Sequence, residues 1–168
     1  MNAIDLLTKQ HKIVKGALDA MCENDSIDDR ELREVADQLV AHMVIEEHVF
    51  YPRVKELKAD LVSESFEEHT VARFELGRAL IAKGEDRKSR VTVLKELIEH
   101  HVEEEEKEMF PKVRSGLPQR ELEALGERME AMFERATKRG FAGLMTDGHG
   151  RGARMRPAPS RTVQRMAR

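Results

Sequence analysis

The stretch Leu39-Val40-Ala41-His42-Met43-Val44-Ile45-Glu46, running on to Phe50-Tyr51-Pro52-Arg53-Val54, is written twice in this chain. The second copy is Ile98-Glu99-His100-His101-Val102-Glu103-Glu104-Glu105, running on to Met109-Phe110-Pro111-Lys112-Val113. Matched positions stand 59 residues apart: Leu39 with Ile98, His42 with His101, Glu46 with Glu105, Pro52 with Pro111. Each copy holds a His and a Glu four residues apart, which on a helix puts both side chains on one face, one turn apart.

The repeat extends backwards. His11 and His69 are 58 residues apart, each within an apolar stripe of helical period. The first stripe is Ile4, Leu7, His11, Val14, Leu18 and Met21, on a helix expected over about Ala3 to Cys22. The second carries Leu32, Val35, Leu39, His42, Glu46 and Val49, with Asp28 or Asp29 as its cap. Pro52 removes a hydrogen bond to the His48 carbonyl and clashes with it, so a kink or helix end is expected near Phe50. A third helix is expected from about Asp60 to Lys83, stopped by Gly84, and a fourth from near Asp86. A fifth, about Gln119 to Arg139, shows Leu122, Leu125, Met129, Met132 and Phe133.

The expected fold is all-α. Residues 1–116 form an up-down four-helix bundle of two repeated hairpins, and residues 117–140 a further helix on the bundle or on a partner. Residues 141–168, rich in Gly, Pro and Arg, read as a disordered basic tail that cannot bury enough apolar surface to offset its ordering entropy.

Composition agrees. Of 168 residues, 40% are apolar, 36% charged and only 4% aromatic, with no Trp, a helix-former's alphabet. No stretch is apolar enough to span a membrane, and Met1-Asn2-Ala3-Ile4-Asp5 does not look like a signal peptide. The single Cys22 allows no intramolecular disulfide, so the reducing cytoplasm is the expected compartment. The net charge of −3 divides unevenly: six Arg and one acid give residues 142–168 a charge of +5, leaving −8 on the rest. The tail has neither aromatics nor Lys, so nucleic acid is not the expected partner, although its charge leaves that open.

A single His on an apolar stripe is ordinarily a hydrogen-bonded core residue. Six such departures are another matter. His11, His42, Glu46, His69, His101 and Glu105 each replace an apolar residue on a core-facing stripe, and all four helices contribute. Without a cation, two buried Glu would each cost on the order of several kcal/mol. Bundle cores assemble metal sites from facing helices. Four imidazoles and two carboxylates in two-fold relation suit two ions, each with two His, the Glu bridging. Those donors suit iron, and also zinc or manganese. His48, His100 and His149 fall on other faces or in the tail and are expected to be solvated or to stand behind the ligands. The run Glu103 to Glu106 is expected to be a wet face, Glu105 excepted.

The set His11, His42-x-x-x-Glu46, His69, His101-x-x-x-Glu105, with Phe50-Tyr51-Pro52 and Phe110-Pro111, resembles the hemerythrin-like, or HHE cation-binding, family over about residues 3 to 114. The resemblance implies a four-helix bundle around a non-haem di-iron centre with oxo or hydroxo and carboxylate bridges. Family roles include oxygen carriage, oxygen, redox or iron sensing, and peroxide breakdown. Oxygen carriers have a second His one turn after the third-helix His; here that place holds Arg73, and the final carboxylate, commonly Asp in them, is Glu105. Oxygen carriage by the usual route is therefore not expected. Met1-Asn2-Ala3, Tyr51-Pro52 and Glu121-Leu122-Glu123-Ala124-Leu125-Gly126 are similar to a bacterial subgroup best known from mycobacterial hemerythrin-like proteins, in which the Tyr before the first Pro is linked to iron and peroxide is degraded.

Tyr51 and Arg73 are thus the candidate catalytic residues. On a regular helix Tyr51 would lie about 180° from His42, so only a distortion at Pro52 brings it inward; otherwise it is a packing residue. Arg73 is either a fixed cation beside a bound peroxide or a long side chain snorkelling from the surface. The expected activity is catalase-like peroxide breakdown at a di-iron centre. The alternatives are a sensor of O2, NO, redox state or iron without turnover, and a small iron-holding protein. Peroxide, O2 or NO are the expected small-molecule partners, on a monomer or homodimer.

Overall fold

The computed structural model describes residues 1–146. Among these the chain is all helix, arranged as the expected bundle. Helix α1 spans Ala3–Glu23, and the Asn2 side chain caps it by accepting the Asp5 N–H. Helix α2, Asp29–Ile45, is capped by Asp28, which accepts from the Arg30 and Glu31 amides. A π-helical turn, Glu46–Phe50, leads without a break into α3, Tyr51–Val54. Helix α4 is Ala59–Ile81 and α5 is Gly84–Glu104. A second π-helical turn, Glu105–Met109, leads into α6, Phe110–Gly116, and α7 covers Gln119–Thr146.

Two expectations need correction, and of the two alternatives near Phe50 the helix is distorted rather than ended. The rod does not end at Pro52: the Tyr51 N–H reaches back five residues to the Glu46 carbonyl, and the widened turn accommodates the clash with His48. Pro111 repeats this, with the Phe110 N–H on the Glu105 carbonyl. Gly84 does not close the third helix, which stops at Ile81; it opens α5 at φ 55°, a left-handed conformation that favours glycine. Residues 141–146, expected within the disordered tail, are helical. Gly140 turns the chain at φ 65°, Asp37 Oδ1 accepts the Phe141 N–H at 2.7 Å, and Leu144 is buried. Residues 147–168, the remainder of that tail and the site of His149, lie outside the described residues.

The buried apolar residues form two layers along the bundle. One gathers Ile4, Leu7, Phe50, Tyr51, Met109 and Phe110; the other gathers Val14, Leu18, Leu39, Leu76, Leu94 and Ile98. On each helix the change of layer falls at the His or His–Glu position. A polar belt therefore crosses the middle of the core. Helix α7 lies along α2 and α1, and its Ala136 and Leu144 cover Val40, Ala41 and Val44 on the back of α2. The first copy of the repeat is apolar on almost every face for this reason, while the second, uncovered, carries Glu99, Glu103 and Glu104 in those places. Among the described residues no helix is long and apolar enough to cross a membrane.

Helix α7 approaches the N-terminus closely at Gly126, where an added Cβ would lie 2.2 Å from the Met1 carbonyl oxygen. Gly126→Ala should therefore destabilise the protein by roughly 1–3 kcal/mol, as overpacked sites do, read by denaturant unfolding. At the other end, Asp29 accepts from Lys83 Nζ at 2.8 Å and from Arg87, which holds its carboxyl down at about 2. That contribution is present above the unfolded carboxyl's range and is lost as pH falls through about 2. Asp29→Asn should be less stable than the parent at neutral pH, and the difference should vanish below pH 2, as thermal melts across pH will show.

Candidate metal centre

The belt is built from one His on each of α1, α2, α4 and α5 and one Glu at the head of each π-helical turn. His11, His42, Glu46, His69, His101 and Glu105 are all buried, both Glu completely. All six face one another. Glu46 Oε1 lies 3.2 Å from His42 Nε2 and 3.9 Å from His11 Nε2, while its Oε2 lies 3.3 Å from His69 Nε2. Glu105 Oε2 lies 3.3 Å from His11 Nε2 and 3.7 Å from His101 Nε2. Each carboxylate thus stands between the two hairpins. Two groups share Glu46 and are compact enough to hold a cation: His11 with His42, and His69 with His101.

The imidazoles are aimed from behind. Nδ1 of His11 meets Glu106 Oε1 at 2.9 Å, and Nδ1 of His42 meets Gln10 Oε1 at 2.8 Å. Nδ1 of His69 meets Glu47 Oε1 at 2.9 Å, and Nδ1 of His101 meets Glu68 Oε2 at 2.7 Å. With Nδ1–H donating outward, each Nε2 is turned to the centre, where it can bind a metal once it carries no proton. The apolar stripes do not mark these four outer residues, and Glu106, expected on a wet face, is 39% exposed yet bonded to His11. The signal was available: Glu47 and Glu106 are 59 apart and Gln10 and Glu68 are 58 apart, the offsets of the ligands themselves.

Tyr51 is in the site. Nine residues at about 100° each would set it about 180° from His42, but the extra residue of the π-helical turn removes about 100° of that rotation. Tyr51 is fully buried, donates to Glu105 Oε1 at 2.8 Å, and lies 3.4 Å from His69 Nε2. Phe110 holds the matching place in the other half and stacks on the His11 ring, centroids 5.7 Å apart. Arg73 does not snorkel: only 3% of it is exposed, and its Nη1 donates to Glu47 Oε1 at 2.7 Å, behind His69. His100 is 64% exposed and with Glu68 and Glu104 forms a third His/Glu group at the surface, while His48 is exposed.

The electrostatics are those of a cluster short of positive charge. Burial disfavours an ionised Glu46, yet His42, His11 and His69 together hold its carboxyl well below the usual range. Burial likewise disfavours charge on His69, but Glu46 and Glu47 outweigh it and lift the imidazole to about 9. At Tyr51 burial and the Glu105 and Glu46 carboxylates push the phenol upward, so it stays protonated and donates. Glu46 Oε1 and Oε2, Glu105 Oε2 and His11 Nε2 are buried without a hydrogen-bond partner. Unpartnered polar atoms of this kind are costly in a core, and these four converge on one space. A bound cation satisfies them together by displacing protons from the imidazoles, so the donor set fits a metal.

Residues 2–113 match the sequence profile of the Hemerythrin HHE cation binding domain. Among solved structures, a hemerythrin HHE cation binding domain-containing protein from Mycobacterium kansasii is similar, with a TM-score of 0.73 and 26% identity, over 88% of this chain and 94% of that one. No curated protein matches significantly. The profile takes in every member of the buried His/Glu belt, and the chain belongs to the hemerythrin HHE cation-binding domain family.

Proposed function

We propose that this chain is a non-haem di-iron protein that breaks down hydrogen peroxide in a catalase-like way. In this reading His11 and His42 would hold one ion and His69 and His101 the other, with the Glu46 and Glu105 carboxylates available to both. Zinc or manganese are the substitutes such donors accept. The observation that carries the reading is the set of orphaned, converging oxygens on Glu46 and Glu105 between two imidazole pairs. Bound iron supplies Lewis acidity and reversible electron transfer.

The reaction balances internally: one peroxide is oxidised to O2, a second takes those two electrons and two protons and gives two waters. No outside reductant is required. The chain contributes a narrow space beside the four imidazoles, walled by Val14, Leu39, Met43, Ile98 and Val102. Those walls suit a molecule of peroxide size and keep larger reductants away. Arg73 occupies the place of the extra imidazole of oxygen carriers and is bound to Glu47, so neither half has a third His. That favours open positions on both ions over the single one that oxygen carriage uses. Tyr51 holds its proton against Glu105, on the side of the belt away from these walls, and is placed to join the His69/His101 half if it loses that proton.

Iron-loaded protein should release O2 from peroxide over many turnovers, measured with an oxygen electrode. If peroxide merely bleaches the centre once, the activity is lost and a sensing role for O2, NO, redox state or iron takes its place. His101→Ala should lose most of the iron while His100→Ala keeps it; equal retention in the two would overturn the ligand set. Tyr51→Phe should remove any visible tyrosinate band while leaving near-ultraviolet absorption of the iron pair.

A further inference from the structure

The outer ring follows the same internal two-fold as the ligands, and it breaks that symmetry at one charged position. Glu47 and Glu106 are repeat partners, and each holds an imidazole of the opposite hairpin: Glu47 on His69, Glu106 on His11. Each also has a cation nearby. Arg73 donates to Glu47, and the charge of Lys15, 58 residues before Arg73, bears on Glu106. These two carboxylates therefore offset one another across the site. The other partners do not. Gln10 on His42 is a neutral amide; Glu68 on His101 is a carboxylate at 2.7 Å, with an 18% exposed side chain.

An imidazole whose far N–H meets a carboxylate is a stronger base toward a metal than one whose N–H meets an amide oxygen, and such partners are worth about 10- to 100-fold in metal affinity. Partial burial preserves that effect, because little water screens Glu68. Two further contrasts point the same way. Glu106 is 39% exposed against 10% for Glu47. Tyr51 offers an oxygen 3.4 Å from His69 Nε2, where Phe110 offers His11 only a ring face.

Resting on the two-ion reading above, we propose that the exchange of Gln10 for Glu68 makes the halves unequal, so that the His69/His101 half takes its ion first and holds it more tightly. Glu68 and Gln10 are then positioning residues that set the order of loading and make the two ions distinguishable to a small ligand.

The test is an anaerobic titration of the metal-free full chain with ferrous iron, followed by calorimetry. The parent should bind two ions in two resolved steps. His69→Ala should remove the tighter step and His42→Ala the weaker, which assigns them. Glu68→Gln should weaken the tighter step about 10- to 100-fold and leave the weaker one in place. Gln10→Glu, a gain rather than a loss, should tighten the weaker step. Two ions bound with equal affinity, or Glu68→Gln acting on the weaker step or on both alike, would overturn the proposal while leaving the di-iron reading intact. A parent that binds fewer than two ions would remove the di-iron reading and this proposal with it.

Discussion

Two carboxylates buried in the centre of a helical bundle set the terms for everything around them. Glu46 and Glu105 have no access to water, and a lone buried carboxylate costs on the order of several kcal/mol. The surrounding chain is arranged so that this charge is surrounded by donors and cation ligands instead. Four imidazoles point inward because four outer residues hold them from behind. Tyr51 donates to one of the carboxylates. Apolar layers above and below exclude water and hold the rods in register. The belt is expensive as a core and natural as a cation site, and membership of a cation-binding family agrees with that.

The π-helical turns are the second device. Glu46 and Glu105 each stand at the first residue of such a turn, and a proline follows it two residues after its end. An α-helix continued through these points would carry Tyr51 and Phe110 to the far side of the rods. With the turn widened, both come back to the core. The two prolines therefore do not terminate the rods; they mark where each rod is rotated. One rotation delivers a hydroxyl to the site and the other a ring face, so a backbone device that is the same in both halves produces an asymmetric centre.

The place of α7 was only half legible. Its apolar stripe, Leu122, Leu125, Met129, required a partner, but a stripe does not say which surface it covers. The complementary clue lay in the first copy of the repeat. Val40, Ala41, Val44 and Ile45 make the second half of α2 apolar on almost every face, and such a stretch is one covered on both sides. The helical residues 141–146 were not legible, because Gly140 and the glycines after it read as a breakdown of structure. What holds them is a contact with Asp37, about a hundred residues away in sequence, together with burial of Leu144.

The sequence by itself determined the helices, the two-fold repeat and the six buried His and Glu, because each of these is written in local periodicity. A helical face repeats every three to four residues, and any polar residue on it stands out against its neighbours. The 58- and 59-residue offsets also contain the outer ring, but Gln10, Glu47, Glu68 and Glu106 sit beside the stripe rather than on it, where periodicity does not mark them. Only the tertiary structure decided how the residues pair. Which imidazole meets which carboxylate, that Arg73 turns to Glu47, and that Tyr51 reaches Glu105 all depend on how separate rods rotate against one another. Rotation of a rod is set by packing and by the widened turns, not by the spacing of residues along it.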